Sequence, residues 1–292
     1  MKKDISLSSW LILIALALTW GSSYILIKKG LIDFSPTQVA GLRVSISALA
    51  FLPIFLIRFK TIDWSKWKAL MVVGFAGSFF PACLFAVAQT ELSSSVTGVL
   101  SSLTPLFTLL IGILFFKAPA VWMKILGVLV GLLGAILLVV LNQSAGDVGN
   151  PYFGILVVLA TIGYGISTYV VKTYLQDVGS ITISATAFTI IGIPGLMMLL
   201  SSDFTEVLRT SETGWESLGY ITILALMGTV AASVLFFKLV QITNPVFASM
   251  VSYLTPIVAV GWGALDNEVV TIYHFVGMVL ILLGVYISKN RG

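Results

Sequence analysis

Apolar residues in this chain fall into ten long runs separated by short polar connections. The runs cover about 9–29, 36–58, 67–89, 94–116, 120–141, 151–174, 181–201, 216–239, 244–265 and 271–288. Each is close to the roughly 20 residues that a helix needs to cross a hydrocarbon core. The pattern predicts an all-α integral membrane protein of ten transmembrane helices. The longest connection, Ser202 to Trp215, is too short for a separate soluble domain. The first run follows Lys2 and Lys3 and contains Ala15-Leu16-Ala17, a combination that imitates a signal peptide. Its apolar stretch continues to Ile27, too long for such a leader, so an uncleaved first span is expected.

The chain also matches itself. Ser101-Ser102-Leu103-Thr104-Pro105 recurs as Ser252-Tyr253-Leu254-Thr255-Pro256. Gly127 and Gly134 recur as Gly277 and Gly284, and Gly21, Ser23 and Lys28 as Gly165, Ser167 and Lys172, in the same order. Two five-helix units result, 1–146 and 147–292. Five is odd, so the second unit enters the membrane from the opposite side and the halves form an inverted repeat. Inverted repeats characterise secondary transporters, in which each half can take up the conformation of the other. Duplication also builds passive channels and scaffolds, which remain the alternative.

Composition narrows the class. Of 292 residues, 58% are hydrophobic and 10% charged, far from the ~25% charge of soluble domains. A soluble enzyme, a nucleic-acid binder and a disordered chain are excluded. With the N-terminus in the cytoplasm, Lys2, Lys3, Arg58, Lys60, Lys66, Lys68, Lys117, Lys124, Lys172, Lys238, Lys289 and Arg291 lie inside, while Lys28, Lys29 and Arg209 lie outside. This positive-inside asymmetry puts both termini in the cytoplasm. Cys83 is the single cysteine and His274 the single histidine, which leaves no disulfide and no metal cluster to expect. His274 is placed at the outer interface without a role. No Gly-x-x-x-x-Gly-Lys-Ser/Thr loop and no paired mid-span carboxylates occur, so neither ATP-driven transport nor membrane-embedded catalysis has candidates. No cofactor is expected.

Several segments then resemble one family. Leu18-Thr19-Trp20-Gly21-Ser22-Ser23-Tyr24 with Ile27-Lys28 resembles the first helix of the EamA-like, ten-helix branch of the drug/metabolite transporter superfamily. Ser35-Pro36 with Leu42-Arg43, the Thr-Pro pairs of the fourth and ninth helices, and Glu268 nine residues before Gly277 resemble further family motifs. The first half departs by carrying Ala118 where the second has Glu268, and Arg43 faces Ala187 at its counterpart. The resemblance implies a multi-pass transporter of a bacterial-type inner membrane. It would often be an exporter of small metabolites or amino acids, with a small-molecule solute and the lipid bilayer as partners.

Candidate transport residues lie near mid-span. Pro105 and Pro256 each free a carbonyl one turn earlier, which needs a hydroxyl, a neighbouring helix or water. Kinks lined by Ser102, Thr104, Tyr253 and Thr255 are expected to face a central cavity, the other reading being internal packing. Trp20, Ser23, Tyr164 and Ser167 are expected as cavity walls, against a reading as helix interface. Arg43 lies seven residues into the second run. It either snorkels outward or faces the interior to pair with a carboxylate or an anionic cargo group. Lys28 and Lys172 are read as complements to helix dipoles, the other reading being a cationic vestibule lining. Gly127, Gly131 and Gly134, with Gly277 and Gly284, suit either internal packing or a homodimer contact.

Overall fold

The computed structural model describes residues 6–117, 122–144 and 149–289. Eight segments are long and apolar enough to cross a membrane: α1 Leu7–Gly30, α2 Pro36–Thr61, α3 Trp64–Ala88, α4 Ser94–Phe115, α6 Pro151–Tyr174, α7 Ser180–Leu200, α8 Gly214–Ile242 and α9 Pro245–Leu265. Between and after them run α5, Trp122–Ser144, and α10, Ile272–Lys289. Ala118 of the repeat comparison lies outside the described residues, as do the junction between the halves at 146/147, Lys2, Lys3 and Arg291.

The helix starts are written locally. Ser35 caps α2 in a capping box with Gln38, and Pro36 opens the helix. Ser93 accepts from the Val96 N–H at the start of α4, and 151 positions later Asn244 accepts from the Phe247 N–H at the start of α9. The repeat extends to the loops. Lys117 and Asn267 hold corresponding left-handed turns, with φ of 54° and 59°.

Packing follows the same symmetry. α1 leaves its own half to pack on α8 and α9, and α6 packs on α3 and α4. α2 lies along α7, and α5 along α10. Each half therefore completes its fold only against the other. The glycine faces are consumed inside the chain: a Cβ on Gly284 would strike the Gly127 carbonyl and the Gly131 backbone, and one on Gly134 would lie 2.7 Å from Leu280 Cβ.

Two features differ from simple kinked spans. α4 is interrupted outright: one helix ends at Ser101 and the next begins at Thr104, so Pro105 stands in a first turn, where its missing N–H costs nothing. α9 breaks at Met250, one turn earlier than symmetry places it, and Pro256 lies inside the helix Val251–Leu265. In addition, α3 contains a π-helical segment at Phe75–Phe79 and α8 one at Leu226–Ala231, again 151 positions apart.

Candidate functional site

Eight of the helices line a central cavity. Among the described residues, α5 and α10 contribute none to its wall. Trp20, Ser23, Arg43, Thr104, Tyr164, Ser167 and Thr255 all line it. Ser102 and Tyr253 do not. The Ser102 hydroxyl donates to Val99 O at 2.5 Å, and the hydroxyl-bearing neighbours Ser101 and Ser252 take the wall positions instead.

The Thr-Pro pairs answer the carbonyl problem themselves. The carbonyls four residues before Pro105 and Pro256 belong to Ser101 and Ser252. Thr104 Oγ1 donates to Ser101 O at 2.7 Å, and Thr255 Oγ1 to Ser252 O at 3.1 Å. The kinks are thus satisfied internally and still present their threonines to the cavity.

The π segments place the site's polar groups. A π turn misaligns the local backbone ladder, and such turns gather at functional sites. In α8 it offers Gly228 O to the Trp20 indole N–H at 3.0 Å and Thr229 Oγ1 to Arg43 Nε at 2.8 Å. Trp20 leans on Phe236 with ring centroids 5.0 Å apart. Opposite them, Tyr164 stacks on Phe85 at 6.1 Å, and Tyr24 meets the same ring at 5.7 Å. The glycines of the two π segments meet the paired serines: Gly228 faces Ser23 and Gly77 faces Ser167.

Arg43 faces inward, not to the headgroups. Its Nε bond to Thr229 is its one hydrogen bond, and no carboxylate pairs with it among the described residues. The remaining four N–H groups of a guanidinium are left to the cavity.

At one end of the helix bundle, around the loop after α9, lies an ionic cluster that composition did not reveal. The Glu268 side chain is 3% exposed. Its Oε1 accepts from Lys28 Nζ at 2.9 Å and from the backbone and hydroxyl of Ser94 at 3.0 and 2.7 Å. Its Oε2 accepts from the backbone and hydroxyl of Ser95 at 3.0 and 2.5 Å. One carboxylate of the second half thus joins α1 to the α4 N-terminus of the first. Asp266 adds Lys28 at 2.8 Å and Lys29 at 2.5 Å. Burial works to raise the Glu268 carboxyl, but the bonds from Ser95, Ser94 and Lys28 outweigh it and hold it below its ordinary value. Gly263 allows the approach, since a Cβ there would overlap Ser95 and Glu268. The repeat-related position in the other half is built differently. Pro245 and Val246 replace the serines, and Lys172 caps the α8 end through Thr243 O at 2.8 Å and Gln241 O at 3.3 Å. Lys172 thus serves the C-terminal end of α8 and not that of its own helix, whereas Lys28 is an ion-pair partner. His274 is buried beside Thr271, outside the cavity.

A sequence model of the EamA-like transporter family matches residues 7–140 and 153–289, nearly the whole chain in two copies. The chain belongs to the EamA-like transporter family. It is a membrane transporter and not an enzyme. Among relatives of this EamA-like chain, an uncharacterized transporter of Archaeoglobus fulgidus is 25% identical over 98% of this chain and all of its own length. The uncharacterized inner membrane transporter YedA of Escherichia coli is 26% identical over 96% and 92%. The uncharacterized transporter YdfC of Bacillus subtilis is 29% identical over 93% and 89%. A solved crystal structure shares the EamA-like fold, with a TM-score of 0.62 over 97% of this chain and 96% of that one at 15% identity.

Proposed function

We propose that this EamA-like chain exports a small solute by alternating access, with Arg43 holding an anionic group of the cargo. The observation that carries the reading is a guanidinium with one hydrogen bond and no counter-ion, facing a cavity between two inverted halves. Intramembrane charge is costly and is retained where it works. A planar fork of unspent N–H groups matches a carboxylate or phosphate in two-point contact.

In this reading the Glu268 cluster is the outer gate. Closing the outer end brings Glu268 of one half onto Lys28, Ser94 and Ser95 of the other; opening separates them. The inner gate closes without such a carboxylate. The membrane is the bacterial-type inner membrane, the location given in the name of the Escherichia coli relative. Both termini lie in the cytoplasm, and the halves meet at 146/147. The glycine face serves packing within one chain.

The test is solute counterflow in proteoliposomes with small organic anions. Saturable counterflow, abolished by Arg43→Ala in protein that still inserts, supports the reading. Flux that neither saturates nor exchanges indicates the rival, a passive channel.

A further inference from the structure

We propose that the cargo is a small organic monoanion with an apolar, planar body and no ammonium group, which sets aside zwitterionic amino acids. This rests on the reading of Arg43 as cargo anchor. The charge inventory of the cavity carries it. Among the described wall residues Arg43 is the single formal charge, with no aspartate, glutamate, lysine or histidine beside it.

The wall hydroxyls add no negative charge. Ser23 donates to Thr19 O, Ser101 to Gly98 O, Ser233 to Val230 O and Ser249 to Val246 O. They keep lone pairs as neutral acceptors, but these do not replace the hydration that an ammonium loses. An α-ammonium would also sit within a few bonds of the carboxylate that Arg43 grips. It would be held close to a like charge in a medium of low dielectric, where repulsion is strong. A monoanion meets the opposite balance: one charge, one partner and no residue.

The walls fit an apolar remainder. Trp20 with Phe236, and Tyr164 with Phe85, form two aromatic surfaces, and Ile27, Val44 and Phe188 fill between polar positions. Flat, apolar bodies are favoured between such rings.

The experiment is calorimetric titration of the full chain in nanodiscs with four probes that share a phenyl ring: 3-phenylpropionate, phenylalanine, phenethylamine and 3-phenylpropanol. The proposal expects 3-phenylpropionate to bind about tenfold or more tighter than phenylalanine, with phenethylamine undetected. Arg43→Gln should lower 3-phenylpropionate to the level of the alcohol, with thermal stability measured on the same samples to show that the variant is folded. Phenylalanine binding as well as 3-phenylpropionate, both lost in Arg43→Gln, overturns the cargo class and leaves Arg43 as anchor. No binding of 3-phenylpropionate also overturns the class. Binding of 3-phenylpropionate unchanged in a folded Arg43→Gln overturns the anchor and the class together.

Discussion

Arg43 and Glu268 show how one charge acquires different meanings from its partners. Arg43 was open in the sequence between headgroup and interior, because depth alone does not say which way a side chain turns. The bond to Thr229 on α8 decides it, and that bond depends on a π turn no apolar pattern signals. If Arg43 grips a carboxylate through its fork, lysine cannot reproduce the two-point contact. Arg43→Lys should lose most counterflow, roughly tenfold or more, and Arg43→Ala nearly all, with membrane expression intact in both. Lysine performing like arginine would reduce the residue to a point charge.

Glu268 was legible as a family position but not as the centre of an ionic cluster, since its partners lie about 170 and 240 positions away. Glutamine there would turn an NH₂ against either Lys28 and Ser94 or the Ser95 N–H. Breaking a buried pair costs about 3–5 kcal/mol; partial exposure of Lys28, at 36%, puts this one at or below the lower figure. Because the folded carboxyl is held below its ordinary 4.5, its contribution is present above that value and lost as pH falls through the lowered one. Wild type should therefore melt above Glu268→Gln from pH 8 to about 5, with the gap closing below about 4.5. A gap already closed at pH 6 would mean that the carboxylate is not held as described.

At the scale of elements, the ten runs predicted ten long helices to within a few residues, eight of them long and apolar enough to cross a membrane. Hydrophobic length is set by the bilayer and survives local irregularity. The irregularities themselves were half visible. Thr104-Pro105 and Thr255-Pro256 announced a freed carbonyl, and the adjacent threonine satisfies it in both halves. That one pair would interrupt its helix and the other stay inside one was not readable, since tertiary packing decides it. Thr255→Val should strand Ser252 O at a cost of about 1–3 kcal/mol. Pro256→Ala in the same chain should recover much of it by returning an N–H to that carbonyl. No recovery in melting temperature would show that the cost of Thr255→Val is not that of an unpaired Ser252 carbonyl.

The π segments were missed, although Gly77 and Gly228 share the 151-residue offset of the prolines and were the available signal. Their fit to the paired serines gives an asymmetric expectation. A Cβ on Gly228 would lie 2.6 Å from Ser23 Oγ but 3.8 Å from Ser23 Cβ, so Ser23→Ala should relieve Gly228→Ala. A Cβ on Gly77 would lie 2.8 Å from Ser167 Cβ as well, so Ser167→Ala should relieve Gly77→Ala only in part. Overpacking of this kind costs about 1–3 kcal/mol. Equal rescue in thermal melts would contradict the geometry.

For the whole molecule, the odd helix count and the repeated motifs led to inversion before any contact was known. The interlock of α1 with α8 and α9, and of α6 with α3 and α4, is the physical form of that inversion. What the sequence left unspoken is the asymmetry between the two ends. An ionic cluster sits at one end, while the symmetry-related position at the other carries Pro245, Val246 and a lysine on backbone carbonyls. Weakening the outer cluster should therefore shift the molecule between its two open forms and not merely loosen it.

The most direct test places one cysteine at Ser101, in the cavity wall, in a Cys83→Ser background. Membrane-impermeant thiol reagent is then applied from each side, with and without Glu268→Gln. Alternating access predicts reciprocity: the substitution raises labelling from outside and lowers labelling from inside. Labelling that rises from outside while holding unchanged from inside would describe a pore opened at one end, and would contradict the account.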